Sequence, residues 1–373
     1  MIETYTSIIK DKINPELKRP KAKHVFYLDA LRAAAILAVI IFHIAGGVLI
    51  PICPNLPGTL NLEYIYHTFF ATCFKFGVPI FLMLTGALTL GKNRDFITLL
   101  KQRIPRIAIP FIFWSVVTFI IMIIIFHYAP FTNYDNLPYD GIKNIGYYFY
   151  EFLLGKTRYS APLWYFWLIL VIYLISPILN KWIVNSSMKE VEYILCIWFI
   201  YCISKYYLSD VINLPIMFSG FIELLGYVIL GYYLRYCERD IFNNKLYAVI
   251  IIILSVIFLM IFALFTTGKQ SFLELGSIFI ILETAGIFIL FKNFKTETPF
   301  TIFKTACSSL AKHSYGIYLI HFPVLIYCVD FLPLNFSLAT KGFVLFVLVT
   351  GLSWLIMAIC ERLPYLDRVI GSK

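Results

Sequence analysis

Three ionisable side chains lie within an otherwise apolar stretch near the N-terminus, LDALRAAAILAVIIFH, which begins at residue 28. Arg32 and His43 are 11 residues apart, close to three full helical turns, so in a helix they would share one face. Asp29 lies one turn before Arg32 on nearly the same face. Ionisable groups at membrane depth are costly and usually face a protein interior or a wet cavity. The stripe is therefore a candidate functional site.

The stripe also has an ordinary explanation, in which Asp29 pairs with Arg32 at a membrane interface and His43 makes one buried hydrogen bond. Two arginines further along the chain favour the functional interpretation. Arg103 and Arg106 lie three residues apart in KQRIPRIAIP, at the start of another apolar segment. This spacing suits guanidinium groups that grip phosphates. Membrane anchoring by positive charge is the alternative for this pair.

A lysine lies at about the same predicted depth as the histidine. Lys75, in TCFKFGVPIFLMLTGAL, is about 15 residues from the inner end of its segment, and His43 is about 15 residues into the first. Both would therefore lie roughly 22 Å from the inner side, where a cavity would contain a base and a cation. Alternatively, the Lys75 side chain extends outward to the interface. Glu223 and Glu283, which also fall within apolar segments, are candidate partners for these cations.

Further candidate contacts occur in later segments. Ser314 and His321 are seven residues apart in SSLAKHSYGIYLIHFPVLIY, hence on one helix face, although each could simply make a helix-packing hydrogen bond. Trp164, Tyr165 and Trp167 lie near the outer end of a segment, where aromatic rings either stack on a carbohydrate or form the usual interfacial belt. No H-E-x-x-H or C-x-x-C spacing occurs, so neither a metal site nor a disulfide framework is expected.

Membrane-spanning helices must position these residues. The chain has 373 residues, of which 60% are hydrophobic and only 14% charged, unlike ordinary soluble domains. Apolar runs of about 20 residues recur, each long enough to cross a hydrocarbon core of roughly 30 Å. We count about ten, at residues 28–49, 65–89, 105–128, 162–182, 190–208, 217–236, 246–266, 272–291, 311–331 and 340–361.

The sequence therefore predicts an all-α, polytopic membrane helical bundle. Its ten-helix domain covers residues 28–363, between a tail at 1–27 and a tail at 364–373. The stretch 129–161 contains NIGYYFYEFLLG, which is too short to span and predicts a helix that lies in the interface or dips partly into the membrane. Its role is either to cap the bundle or to help bind an acceptor.

Positive charge is distributed unevenly between the two predicted sides. Of the 31 Lys and Arg residues, 23 lie at the termini or at loops on the same side as the termini, and only 6 lie on the other side. The excess of positive charge in cytoplasmic loops therefore predicts a multi-pass protein of the cell membrane with both termini in the cytoplasm. The net charge of +10 is explained by this bias, so nucleic-acid binding is not required.

Five sequence blocks give the chain a family resemblance. They are YLDALRAAAILAVIIFH, VPIFLMLTGALTL, RIPRIAIPFIFW, PLWYFWLILVIYLISPIL and SYGIYLIHFPVL. In this order, and over almost the whole chain, they resemble the membrane acyltransferase-3 family of multi-span O-acyltransferases and O-acetylases. The resemblance implies ten helices and transfer of an acyl group, usually acetyl from acetyl-CoA, to a hydroxyl of a surface carbohydrate.

The resemblance also implies residue roles. The motif histidine, here His43, would be catalytic, with Arg32 and Asp29 as its companions, while Arg103 and Arg106 would bind the acyl-CoA. His43 would act as a general base, which we favour, or as a nucleophile that forms an acyl-imidazole. We expect further oxyanion or acceptor contacts from a wider group: Lys75, Ser314, His321, Trp164, Tyr165 and Glu223.

We therefore expect a water-accessible passage that joins an acyl-CoA site at the inner face to a reaction site at His43, deep in the bilayer. A transporter or flippase for a glycan or lipid-linked sugar is the alternative, since many spans and an aromatic outer loop would suit it too. Discontinuous helices and matching internal halves would favour transport.

Overall fold

The chain folds as a bundle of α-helices, seen in a computed structural model. The structure describes residues 25–52, 61–92, 96–128, 145–157, 159–208, 220–265, 273–294, 301–331 and 336–371, and these contain no β-strand. We label the helices α1 Phe26–Ile44, α2 Leu62–Cys73, α3 Gly77–Thr89, α4 Phe96–Tyr128, α5 Ile145–Leu153, α6 Trp164–Asn185, α7 Met188–Ile203, α8 Phe221–Tyr236, α9 Lys245–Phe265, α10 Ile278–Lys292, α11 Thr301–Phe331 and α12 Leu338–Arg362. The prediction of an all-α polytopic bundle is confirmed.

Eight segments in the described part of the chain are long and apolar enough to cross a membrane: Phe26–Leu49, Leu62–Thr89, Leu100–Ile124, Ala161–Asn185, Met188–Leu208, Lys245–Phe265, Thr301–Phe331 and Leu338–Arg362. Helices α8 and α10 account for the two other predicted spans, but they have only 16 and 15 residues. In both cases the predicted span begins before the helix does. Residues 274–277, directly before α10, form a bend and a turn rather than a helix.

The two shorter helices lie inside the bundle. Helix α8 packs closely against α3, where a Cβ at Gly86 would lie 1.7 Å from the Val228 carbonyl oxygen. On the facing helix, a Cβ at Gly231 would lie 2.0 Å from the Met83 carbonyl oxygen. Small residues allow such close helix contacts in membranes, where packing rather than hydrophobicity drives association.

The second predicted span is two helices rather than one. Helix α2 ends at Cys73 and α3 begins at Gly77, so that Lys75 lies in the break. A Cβ at Gly77 would lie 2.7 Å from Val39 Cγ2 and 2.8 Å from the Ala35 carbonyl oxygen, so glycine is required where α3 starts against α1. The break brings the backbone of the second span against the helix that carries His43.

The segments outside the long helices are folded as well. The predicted short aromatic helix is α5, whose Phe152 is buried and contacts Phe119 of α4. Its location at a membrane interface stays a prediction. After α12 the chain turns back through Leu366–Arg368, and Val369 and Ile370 are buried. The predicted tail at 364–373 thus packs on the bundle over its described part, while the domain boundaries stay predictions.

Candidate active site

A basic cavity lies between helices α1, α3, α4, α6 and α11. It has a volume of about 260 Å³. Its four cations are Arg32 from α1, Arg103 and Arg106 from α4, and Lys312 from α11. Four tyrosines also line it, Tyr165, Tyr173, Tyr315 and Tyr318, together with Ser314 and with Gly371 from the returning C-terminal segment. The structure thus brings the predicted arginines of two distant segments into one cavity, which we call the arginine cavity.

Aromatic contacts hold the arginine cavity in shape. The guanidinium of Arg103 lies 6.0 Å from the ring centroid of Tyr173, at the limit for a cation–π contact. The Tyr315 hydroxyl donates to the Ile107 carbonyl over 2.8 Å, which joins α11 to the helix carrying both arginines. Arg103 is half-buried, whereas Arg106 is exposed. Both guanidinium groups line the cavity, so an anion bound there would meet both.

The far wall of the arginine cavity is formed by two tyrosines. The rings of Tyr165 and Tyr318 lie 5.1 Å apart, centroid to centroid. The Tyr318 hydroxyl donates to the Pro162 carbonyl over 2.6 Å, in the 3-10 turn Ala161–Leu163 that precedes α6. Both tyrosines are buried. Their phenol rings therefore separate the cavity from the helix turn that follows Tyr318.

Two histidines meet just beyond this wall. The ring of His321, one turn after Tyr318 on α11, lies 5.3 Å from the ring of His43 on α1. His43 is half-buried and is flanked by Phe42 and Phe322, each 5.0 Å away between ring centroids. His321 is fully buried, and its Nδ1 lies 2.7 Å from the Tyr318 carbonyl oxygen. We call these two imidazoles the histidine pair.

Tyr318 and His321 stand between the arginine cavity and His43. The ring of Tyr318 lies 5.5 Å from that of His321. Among the described residues, the cavity lining includes Tyr318 but neither histidine. This cavity therefore does not itself reach the histidine pair, and the continuous passage expected from the sequence stays a prediction. The cavity and the histidine pair are nevertheless separated by little more than one helical turn of α11.

Comparison with known proteins identifies the family. A family model described as an acyltransferase domain, that of the acyltransferase-3 family, matches residues 25–358. The chain belongs to the acyltransferase-3 family. The matched range includes the histidine pair and every cation of the arginine cavity. No curated protein and no solved structure matches the chain.

Two other predicted residues of this acyltransferase, Asp29 and Ser314, lie away from the histidine pair, and of the two only Ser314 lines the arginine cavity. Asp29 is in the first turn of α1, one turn before Arg32. Ser314 lines the arginine cavity, and its hydroxyl donates to the Ala311 carbonyl over 2.9 Å. Because Ser314 is two turns before His321, roughly 10 Å along the helix, it belongs with the arginines rather than with the histidine pair.

Lys75 of the acyltransferase lies close to the histidine pair, but its ammonium group binds a backbone carbonyl. Its ammonium donates to the Leu273 carbonyl over 2.7 Å and lies 5.7 Å from the ring centroid of Phe42, the neighbour of His43. One of its three N–H donors is thus occupied by the backbone that precedes α10. The predicted role of Lys75 as an oxyanion donor stays a prediction.

Glu223 forms a separate cluster with residues of the π-helical turn that follows α7. Its carboxylate accepts hydrogen bonds from the Lys205 ammonium and the Tyr206 hydroxyl. The structure thus pairs Glu223 with Lys205 rather than with Lys75 or Arg32. Glu283 is buried in α10, and its Oε2 has no hydrogen-bond partner among the described residues. Neither acid lines the arginine cavity.

Of the three predicted aromatic contacts at the start of α6, only Tyr165 reaches the site. Trp164 is exposed, and so is Trp167, whose indole nitrogen donates to the Leu153 carbonyl over 2.9 Å. The tryptophans thus face outward, as residues of an aromatic belt would. Their role in binding an acceptor stays a prediction.

Sequence reasoning missed the tyrosines and the lysine that α11 contributes. Lys312, Tyr315 and Tyr318 follow one another at intervals of three residues and lead to His321. Each member is a surface neighbour of the next, so the row winds gradually around α11, and this spacing was available as a signal. The Glu361 carboxylate of α12 accepts from Lys312 and also binds His313 Nε2 at 2.8 Å. In the described part of the chain, no group of three or more His, Cys, Asp or Glu residues could hold a metal ion.

Proposed function

We propose that this acyltransferase moves an acyl group, acetyl in the simplest case, from cytoplasmic acyl-CoA to a hydroxyl of a cell-surface or lipid-linked carbohydrate. One observation carries the proposal: four cations line a cavity whose far wall is one helical turn from a pair of buried or half-buried imidazoles. The charge bias of the loops supports a position in the cell membrane with both termini in the cytoplasm. The cavity would then open to the compartment that contains acyl-CoA.

The arginine cavity suits the phosphate end of the donor. Arginine binds phosphate oxygens with two parallel hydrogen bonds, and lysine adds a point charge. Pockets that enclose a drug-sized ligand usually measure about 300–1,000 Å³, so a cavity of about 260 Å³ would take only part of CoA. We infer that the phosphates rest on Arg103 and Arg106 and that the thioester arm extends along α11 toward Tyr318.

Transfer would follow the general-base route. The acceptor hydroxyl gives its proton to an imidazole nitrogen of His43 while its oxygen attacks the thioester carbonyl carbon. The tetrahedral intermediate then collapses, the carbon–sulfur bond breaks, and the thiolate of CoA takes the proton back from the imidazolium. Of the two predicted oxyanion donors, Lys75 is our choice, because it lies over the neighbour of His43 whereas Ser314 lies two turns away from His321.

The decisive test is the replacement of His43. Purified protein receives acetyl-CoA labelled in the acetyl group, and membranes of the source cells serve as the acceptor. We expect His43→Ala to lower transfer about 10²- to 10⁴-fold, the usual contribution of general-base catalysis. His67→Ala is the matched control, since His67 is also buried in the bundle but lies outside the arginine cavity and the histidine pair. Undiminished transfer by a folded His43→Ala variant would remove the mechanism.

One feature favours the transport alternative. The break between α2 and α3 places non-helical backbone and Lys75 inside the bundle, as in the discontinuous helices of many transporters. Reconstituted vesicles decide between the two functions. Movement of a fluorescent lipid-linked sugar between leaflets, with no release of CoA thiol, would support a flippase, whereas thiol release that depends on the acceptor supports acyl transfer.

A further inference from the structure

The proton on His321 has a fixed position. A carbonyl oxygen only accepts hydrogen bonds, so the 2.7 Å contact between His321 Nδ1 and the Tyr318 carbonyl requires a proton on Nδ1. A neutral His321 therefore carries its lone pair on Nε2. The same arrangement, in which Nδ1–H is held and Nε2 is left open, orients histidines that accept protons or hydrogen bonds in catalytic sites.

That open nitrogen has no partner in the described part of the chain. His321 is 0% exposed, and its Nε2 makes no hydrogen bond there. Buried polar atoms are nearly always satisfied in native proteins, and each exception calls for an explanation. Tyr318 and Phe322, which surround the ring, offer aromatic faces rather than a second donor. A hydrogen-bond donor that reaches Nε2 only during the reaction would explain why this atom has no partner.

The nearest candidate donor is the other imidazole. The ring centroids of His43 and His321 are 5.3 Å apart, and the planes are tilted by 41°. Phe42 and Phe322 flank the His43 ring, each at 5.0 Å between ring centroids. Catalytic hydrogen bonds are often long before substrate binds and shorten in the reactive complex. A small rotation of His43 would direct one of its N–H groups at Nε2 of His321.

We propose that His321 is a positioning residue for His43: its Nε2 accepts the N–H of His43 and so orients the base toward the acceptor hydroxyl. The inference rests on the proposed acyl transfer. The hydroxyl proton moves to the second nitrogen of His43, and the resulting imidazolium donates its original N–H to His321. No proton leaves the pair until the CoA thiolate takes one back. His321 thus serves as the third group that orients a base in nucleophile–base–orienter arrangements.

Two substitutions separate this role from a structural one. In His321→Asn the side-chain amide takes the place of Nδ1 and still donates to the Tyr318 carbonyl, but nothing remains at Nε2. In His321→Gln the amide lies at the position of Nε2 and its oxygen accepts an N–H. We expect His321→Asn to lower kcat about 10- to 100-fold, part of the contribution of the general base, with the KM for acetyl-CoA unchanged. His321→Gln should keep more of kcat than His321→Asn.

The double variant His43→Ala/His321→Asn measures whether the two histidines act together. Because His321 acts only through His43, the second substitution should cause no further loss in the His43→Ala background. A His321→Asn enzyme with wild-type kcat, or losses that multiply in the double variant, would overturn the inference. If His321→Asn does not fold by size-exclusion chromatography, His321→Gln decides alone: a raised KM at unchanged kcat overturns the role. Absence of acyl transfer by the wild-type protein would instead refute the proposed function.

Discussion

At the scale of single residues, the arginine cavity takes its charge from three helices: Arg32 comes from α1, Arg103 and Arg106 from α4, and Lys312 from α11. The two arginines of α4 lead to a prediction about donor binding. Arg103→Gln and Arg106→Gln should raise the KM for acetyl-CoA about 10- to 100-fold and leave kcat nearly unchanged, because a charge-assisted hydrogen bond contributes about 1.5–3 kcal/mol to binding. Steady-state release of CoA thiol measures both constants. Arg239→Gln is the control, since Arg239 pairs with Glu192 outside the cavity. A fall in kcat at constant KM would argue against donor binding by these arginines.

Contacts between side chains of different helices could not be predicted from the sequence. The lysine partner of Glu223 was not predicted, because pairing between helices depends on tertiary contacts that spacing along one helix does not report. The same limit explains why His321 was predicted only as a face-sharing neighbour of Ser314, and not as a ring 5.3 Å from His43.

At the scale of helices, apolar length located the spans, but their interruptions escaped it. The segment 65–89 has Lys75 as its only Lys, Arg, Asp or Glu and reads as one span, yet it is divided at residues 74–76, where Gly77 brings α3 against the α1 backbone. A hydropathy pattern reports burial and not the approach of two backbones. For the same reason, α8 reads as an ordinary span although its glycine at 231 lies against α3.

Because α3 and α8 are in close contact, we expect alanine to destabilise the protein at Gly231 and not at a glycine with open space around it. Gly231→Ala adds a methyl group 2.0 Å from the Met83 carbonyl oxygen, so the helices must separate. Overpacking of this kind usually destabilises a protein by about 1–3 kcal/mol. Gly351→Ala in α12 is the matched control, because a Cβ there meets no atom within 4 Å and alanine favours the helix. Thermal unfolding of both purified variants should show a lower Tm for Gly231→Ala only.

At the scale of the whole molecule, the first described helix and the last described segment contribute to one site. Arg32, near the start of α1, and Gly371, in the returning C-terminal segment, line the same cavity. The Trp114 indole donates to the Val369 carbonyl over 3.0 Å and holds that segment on α4. The sequence predicted a tail here, because a short polar stretch after the last span has no periodicity that signals packing. The closure of the arginine cavity is therefore a property of the complete bundle.

The orientation of the bundle decides whether the arginine cavity meets acyl-CoA, which is too highly charged to cross a bilayer unaided. The loop charges predict that the C-terminus is cytoplasmic and that the loop at Lys156 is outside. An epitope tag placed after Lys373 should therefore react with antibody only in permeabilised cells, whereas a tag inserted beside Lys156 should react in intact cells. As a control for folding, each tagged protein must elute from a size-exclusion column as the untagged protein does. The reverse pattern would turn the arginines away from the cytoplasmic donor and require an acyl donor on the outer side.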